Sequence, residues 1–270
     1  MKIFITGSTG FIGLNLVQFY KEHEVFEFKR YMPLESELNK FKPDLIINSA
    51  AQIYDTNTMW GVNVGLTRTC LEYCKANPNT RLMHMGTSSE YGPLDRASKE
   101  TDATNPQDMY AGTKSIATTL CQVYGRTYGL DVVVVRPYSP YGPGERPHRL
   151  FPALWRAFKL ERPMDLVLGV HDFCYIDDFV RAVDIINNSS ERTPGEVINV
   201  SSGEQTTNGD VLNTFEKIAG HSAPVNVINK FTTPPTWQAD ITHIKNKYKW
   251  TPAISLEQGI KLFLERASYE

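Results

Sequence analysis

The 270-residue sequence has little of what marks a secreted, membrane-embedded or nucleic-acid-binding chain. Cysteine is scarce: Cys70, Cys74, Cys121 and Cys174 include no CxxC pair, and the first two, four residues apart, read as neighbours on one helix. Buried thiols are expected, rather than a metal site or a disulfide. Long apolar runs are missing as well. Those inside DLIINSAA (44–51) and DVVVVRP (131–137) stop after about five residues, against the roughly 20 a membrane helix needs, so no span is expected. Neither sign of charge prevails, with 28 Lys and Arg against 30 Asp and Glu for a net charge of −2. There is no overall basic field to gather nucleic acid, and no nucleic-acid partner is expected. The opening MKIFITGSTG starts a strand that runs into a glycine-rich turn, unlike a signal peptide, and the cytosol is the expected location.

What is present is alternation. Short β-branched or apolar runs at 2–6, 25–29, 44–50, 81–86 and 131–136 alternate with amphipathic stretches predicted to be helical at 11–22, 57–77 and 107–128. Such alternation implies βαβ units and a parallel sheet. After Arg136 the texture changes, because PYSPYGPGERPHR (137–149) holds four prolines and two glycines and reads as a loop. Beyond it, helices at 150–160, 177–189, 207–219 and 255–267 alternate with strands near 165–168, 196–200 and 225–228, one of which is expected to rejoin the first sheet. No repeat of fixed period appears. The fold class is α/β: a Rossmann-type doubly wound parallel sheet over 1–140, then a smaller α+β lobe over 141–270.

The first strand runs directly into Gly7-Ser8-Thr9-Gly10-Phe11-Ile12-Gly13. A GxxGxxG at a strand-to-helix turn is a pyrophosphate cradle: Gly7 permits the turn, Gly10 the close approach of phosphate, and Gly13 the packing of helix on sheet. Thr9, Phe11 and Ile12 complete the cofactor-binding turn. The second strand closes on Glu27, Lys29 and Arg30. An acid there would bind the ribose diol of NAD, whereas Lys29 and Arg30 suit the 2′-phosphate of NADP, which is favoured.

The fourth strand ends in GTSSEYG (86–92), and the next helix carries Tyr110 and Lys114 at i, i+4, on one face. A phenol has an ordinary pKa near 10. A neighbouring ammonium stabilises its phenolate, so Tyr110 would exchange a proton with an alcohol, Lys114 would also reach the nicotinamide ribose, and Thr87 would hold the reacting oxygen.

With GSTGFIG, NSAA (48–51), Asn63, TSSEYG, YAGTK (110–114), RPYSPYGPGERP (136–147), DFCYIDDFVRAV (172–183) and EVINVSSG (196–203), the chain resembles the extended short-chain dehydrogenases/reductases of the sugar-nucleotide epimerase/dehydratase group. The resemblance implies a Rossmann-type domain binding NAD(P), a second lobe gripping a nucleotide sugar, and a homodimer formed through helices. It places Thr87, Tyr110 and Lys114 at the catalytic positions, Ala50, Ala51, Pro137 and Tyr138 against the cofactor, and Ser88, Ser89, Ser139, Arg146, Arg149 and His171 against the substrate.

Departures from the family pattern narrow the chemistry. Dehydratases of the group carry an acidic pair after the catalytic Thr, where this chain has Ser88 and Ser89. Two-carbon epimerase-reductases resembling GDP-fucose synthase use a Cys and a His at the positions of Ser89 and Arg149. Ser139 replaces the family's Asn, and His171 the Arg of its RDFxxVDD motif. Arg146 and Arg149 are the better anion ligands, since a guanidinium offers phosphate a bidentate fork. Trp155, Phe151 and Phe158 are expected in the core. The expected reaction is hydride transfer at carbon 4 of a nucleotide hexose, as a 4-epimerase, with an NADPH-dependent 4-ketoreductase as the alternative. A dehydratase and a non-catalytic nucleotide-binding protein rank below both.

Overall fold

The computed structural model describes residues 1–228 and 236–269. In chain order the first half builds β1 (Lys2–Thr6), α1 (Phe11–Phe19), β2 (Glu24–Glu27), α2 (Leu34–Phe41), β3 (Leu45–Asn48), α3 (Thr56–Met59), α4 (Leu66–Ala76), β4 (Arg81–Met85), α5 (Met109–Tyr128) and β5 (Val132–Pro137). The second half adds β6 (Ser139–Tyr141), α6 (Leu150–Leu160), β7 (Met164–Val167), β8 (Val170–His171), β9 (Phe173–Tyr175), α7 (Ile176–Asn188), β10 (Glu196–Val200), β11 (Thr206–Thr207), α8 (Asn208–Ala219), β12 (Val225–Ile228), α9 (Thr242–Tyr248) and α10 (Leu256–Arg266).

Six strands form one parallel sheet in the order β10-β5-β4-β3-β1-β2. Alternate residues bury on opposite faces, as a sheet covered on both sides requires. Ile3, Ile5, Ile47, Met83, Val133 and Ile198 pack with Leu16 of α1 and Phe179 and Val183 of α7. Phe4, Ile46, Leu82, Val132 and Val134 pack with Leu38, Cys70, Leu71, Cys74 and Cys121 of α2, α4 and α5. All four cysteines are buried free thiols. Chain order reverses between β1 and β3, and ligands of open α/β sheets bind at such a switch point, beyond the strands' carboxyl ends.

The doubly wound class holds, with one strand fewer than the usual 3-2-1-4-5-6 order requires on the β2 side. The eight-residue α2 crosses straight from β2 to β3, which leaves β2 as an edge. Without a second neighbour β2 is short: it closes at Glu27 rather than at residue 29, although the Phe28 N–H still donates to the Ile5 carbonyl at 3.0 Å. The helix expected over 11–22 stops at Phe19, where Tyr20 is buried and the exposed Lys21–Glu24 segment turns into β2.

The strand expected at 196–200 does rejoin the first sheet, as β10 beside β5. Segments beyond residue 140 therefore complete the six-stranded sheet, and α7 covers it on the face opposite α5. The remaining pieces pair off as β6 with β9, β7 with β12 and β8 with β11. Phe151 and Phe158 are buried among Tyr141, Phe173, Phe215 and Phe263, and Trp155 is half-buried against Tyr269, which makes these aromatics core. Among the described residues no helix is long and apolar enough to cross a membrane.

Candidate active site

The glycine-rich turn has the shape of a phosphate cradle. Gly7 has φ +68°, and a Cβ there would lie 2.7 Å from the Ala50 backbone nitrogen. At Gly13 a Cβ would fall 2.1 Å from the Gly7 carbonyl, so α1 and β1 approach too closely for any side chain. Gly10 is different: its Cβ would meet only the Gly7 carbonyl, at 3.2 Å, and the residue is exposed. Gly10 also caps α1 without a side-chain hydrogen bond, so the helix's first N–H groups remain for an anion. Thr9 is exposed, Phe11 and Ile12 are half-buried, and Ala50 donates its N–H to Thr6 Oγ1 at 3.2 Å beside exposed Ala51. These observations fit a dinucleotide pyrophosphate. At the end of β2, Lys29 Nζ donates to Ser8 Oγ at 3.4 Å and pairs with Glu27 at 3.0 Å. Exposed Arg30 is near enough to Asp55, on the loop after β3, to help hold its carboxyl down, behind the hydrogen bonds from Thr58 and Asn57.

β4 delivers Thr87 to the same edge. Thr87 caps a 3₁₀ turn, Ser88–Tyr91, and its Oγ1 accepts the Ser89 N–H at 3.3 Å, while Glu90 answers by accepting the Thr87 N–H at 2.8 Å. Ser88 is buried inside this turn and Ser89 is half-buried. Asp108 caps α5, accepting the Ala111 N–H at 2.7 Å, which fixes the first turn of the helix carrying Tyr110. The Tyr110 phenol lies close enough to Thr87 for that hydroxyl to act on its ionisation. Burial raises its pKa, Glu90 and Asp108 add to that, and the Thr87 contact and the Arg149 charge oppose it.

Lys114, one turn on, is 1% exposed. Its ammonium donates to the Met85 carbonyl and lies 3.4 Å from His84 Nε2, so it turns into the sheet rather than onto the phenol, as a buried donor without water must. Burial pulls its pKa down to about 8, with Glu90 resisting.

Sequence reasoning passed over Glu90, Arg136 and His84. Glu90 is 0% exposed; it takes both Arg136 Nη2, at 2.7 Å, and Arg136 Nε, at 3.0 Å, together with the Thr118 hydroxyl at 3.0 Å. Gly86 leaves room for it, since a Cβ there would lie 2.7 Å from Glu90 Oε1. Arg136 in turn stacks 4.4 Å over the Tyr91 ring. With its oxygens occupied, Glu90 has no lone pair aimed at a substrate. Asn63 was visible only as part of a motif. It lies in a π-helical turn, Trp60–Gly65, where it accepts the Gln52 N–H at 2.8 Å and donates to Thr113 Oγ1 at 2.9 Å, pinning the loop after β3 to α5. A helix predicted without a break over 57–77 thus carries one extra residue at its functional end.

The second lobe contributes Ser139 and His171, whose Oγ and Nδ1 are 3.3 Å apart. Burial, then Arg149, lowers the His171 pKa to about 4, so it is neutral and supplies no fixed charge. Arg149, the cation whose charge reaches both Tyr110 and His171, is 56% exposed at its side chain and 3.5 Å from Glu145. Burial pushes the Glu145 carboxyl up to about 7 and leaves its Oε2 unpartnered. Arg146 is exposed on the same loop. Pro137 ends β5, and the Tyr138 hydroxyl is 2.5 Å from Ser98 Oγ, so only its backbone is left to face a cofactor.

The sequence profile of the NAD dependent epimerase/dehydratase family matches residues 3–201. An uncharacterized UDP-glucose epimerase of Bacillus subtilis is 26% identical, over 96% of this chain and 96% of its own. A UDP-glucuronate 4-epimerase of Thermodesulfobacterium geofontis is 31% identical over 74% of this chain and 62% of its own. Among solved structures, UDP-glucuronic acid 4-epimerase of Bacillus cereus in complex with UDP-glucuronic acid and NAD superposes with a TM-score of 0.86 at 26% identity, covering 98% of each chain. A dTDP-glucose 4,6-dehydratase of Bacillus anthracis in complex with NAD reaches 0.87 at 22% identity, covering 98% of this chain and 96% of its own.

The buried Glu90–Arg136 pair has a direct test. Glu90→Ala leaves a guanidinium buried and unpaired, and chemical denaturation is expected to show a loss of about 3–5 kcal/mol. Replacing both residues by Leu and Met is expected to cost less than Glu90→Ala alone, because no stranded charge remains.

Proposed function

Since the chain belongs to the NAD-dependent epimerase/dehydratase family, we propose that it is a sugar-nucleotide 4-epimerase acting through Thr87, Tyr110 and Lys114. The observation that carries this is the buried Tyr110 phenol set close enough to Thr87 for the hydroxyl to oppose the rise in its pKa, at the carboxyl edge of the sheet beside a glycine turn open at Gly10. A nicotinamide dinucleotide bound there supplies hydride acceptance and return. Gly7, Thr9, Gly10, Phe11, Ile12 and Gly13 hold its pyrophosphate, and Ala50, Ala51, Pro137 and the Tyr138 backbone wall the cleft. Thr87 holds the oxygen on carbon 4 while Tyr110 takes its proton, and after the keto sugar turns over, Tyr110 returns the proton. Ser88 and Ser89 offer no acid or base near neutral pH, and Glu90 is occupied by Arg136, which argues against elimination of water. Ser89, Ser139 and His171 offer uncharged hydrogen bonds to the sugar, and Arg146 and Arg149 the cations for its anionic groups.

The 4-ketoreductase reading keeps one specific support. Lys29, tied to Ser8 of the glycine turn, and exposed Arg30 present cations where an adenosine 2′-phosphate would sit, and NADPH serves a one-way reduction. The two reactions part company in one assay. Incubated with UDP-glucose or UDP-glucuronate and either dinucleotide, an epimerase interconverts the carbon 4 isomers with no net change in cofactor absorbance. Stoichiometric loss of NADPH with a 4-keto sugar nucleotide, without isomer exchange, would replace epimerase by reductase. In either case Tyr110→Phe is expected to lower kcat by roughly 10²–10⁴-fold while dinucleotide binding persists.

A homodimer is part of the proposal. Met109, Ile116 and Val123, seven residues apart on α5, are exposed, and so is Trp60 on the neighbouring π-helical turn. An apolar stripe of this kind on one face suits an isologous two-fold contact. Light scattering of the native chain is expected to give twice the chain mass, and Val123→Glu to halve it.

A further inference from the structure

A row of buried polar side chains crosses the sheet behind Lys114. Parallel register sets Thr6 of β1 opposite Asn48 of β3, and Asn48 opposite His84 of β4. Thr67 of α4 and Lys114 of α5 close over the row from the same face. Thr6, Asn48, Thr67 and His84 are 0% exposed and Lys114 is 1% exposed, so their hydrogens must be shared among themselves.

The shortest contacts share the hydrogens in one way, and the Thr67 Oγ1–His84 Nδ1 approach, at 3.5 Å, is longer than the 3.1 Å from Asn48 Nδ2 to the same nitrogen. Thr6 Oγ1 accepts the Ala50 N–H at 3.2 Å and donates its hydrogen to Asn48 Oδ1 at 2.6 Å. The Thr67 hydroxyl donates to the Asn63 carbonyl at 2.9 Å, so it meets Asn48 only as an acceptor. The Asn48 atom 3.0 Å from it is therefore the amide Nδ2. That same Nδ2 reaches His84 Nδ1 at 3.1 Å, and Nδ1 must accept as well. Burial keeps His84 uncharged, with the Lys114 charge acting in the same sense. A neutral imidazole carries one N–H. It is left on Nε2, which faces Lys114 Nζ at 3.4 Å.

We propose that Asn48 locks His84 as the Nε2–H tautomer, making His84 a positioning residue that aims a hydrogen-bond donor at Lys114 and favours its uncharged amine. An ammonium has only donors to offer and would set N–H against N–H, whereas an amine has a lone pair to accept. One Lys114 hydrogen is already directed at the Met85 carbonyl. The other titratable groups acting on Lys114 are Glu90 from the 3₁₀ turn and Cys121 from its own helix, both favouring the ammonium. Burial acts against them and pulls the lysine down to about 8; a donor on His84 Nε2 acts in the same sense. If Lys114 serves Tyr110 as proposed above, His84 sets the alkaline limit of activity, because the ammonium disappears as pH rises through that value.

The test needs no turnover, so inactivity toward sugar nucleotides would count against the proposed reaction and not against this inference. NMR of ring-labelled histidine in the native chain should show His84 Nδ1 bare and Nε2 protonated; a proton on Nδ1 overturns the proposal with no variant required. In Asn48→Asp the side-chain carboxylate can only accept, which moves the His84 proton to Nδ1 and turns the Nε2 lone pair toward Lys114. Titration of side-chain-labelled lysine should then show Lys114 keeping its proton to higher pH, by about one unit, a tenfold gain in proton affinity. The same substitution combined with His84→Phe separates the imidazole from the added charge. Measured against His84→Phe alone, loss of most of the Asn48→Asp shift supports the role of His84, and a full shift assigns the effect to the carboxylate and overturns it.

Discussion

A parallel sheet brings all its strands' carboxyl ends to one edge, and the polar groups gathered there lie too deep for water. In this chain the constraint is met first by Glu90, whose carboxylate is wholly buried and occupied by Arg136, Thr118 and the Thr87 backbone. Since a carboxylate or a guanidinium left alone at that depth is unfavourable by several kcal/mol, the two hold each other in place. Their pairing fixes the 3₁₀ turn, the turn fixes Thr87, and Thr87 receives the Tyr110 phenol. Gly86 belongs to the same solution, because the space a side chain would fill is occupied by Glu90 Oε1.

The features legible in the sequence are those written in local pattern. Strands at 2–6, 81–86 and 131–136 announce themselves by short β-branched or apolar runs, and β1, β4 and β5 lie within a residue of those limits. The Tyr110–Lys114 spacing survives because one helix carries both. Less legible were relations between elements distant in sequence. Glu90 reads as one more residue of TSSEYG until Arg136, 46 positions on, is found against it. His84 looks like any residue of a buried strand, because nothing local signals that Asn48 and Lys114 will face its two nitrogens. The π-helical turn at Trp60–Gly65 breaks no apolar periodicity strongly enough to be seen, yet it alone turns Asn63 toward Gln52 and Thr113.

The edge position of β2 bears on the proposed dinucleotide site. Loss of the strand that would flank β2 leaves an edge whose last residues are not held by a neighbour, and Lys29 is drawn back to Ser8 in the glycine turn. Under the proposed function, the choice of dinucleotide at that edge would rest on two cations and Glu27 rather than on a strand end packed between neighbours.

Charge elsewhere in the site is sparse and placed. A chain with net charge −2 has no field to lend to anion binding, so individual groups decide it. His171 is neutral by burial, and Glu145, pushed up to about 7, only partly balances Arg149 near neutral pH. Arg149 therefore keeps most of its charge over the phenol of Tyr110, and it does so from the mouth of the cleft while burial works against ionisation from below. Lys114, proposed to serve the phenol from the same helix, directs its ammonium at the Met85 carbonyl and lies 3.4 Å from His84 Nε2. Ionisation of Tyr110 is thus opposed first by burial and favoured by the Thr87 hydroxyl and by an exposed guanidinium that salt can screen.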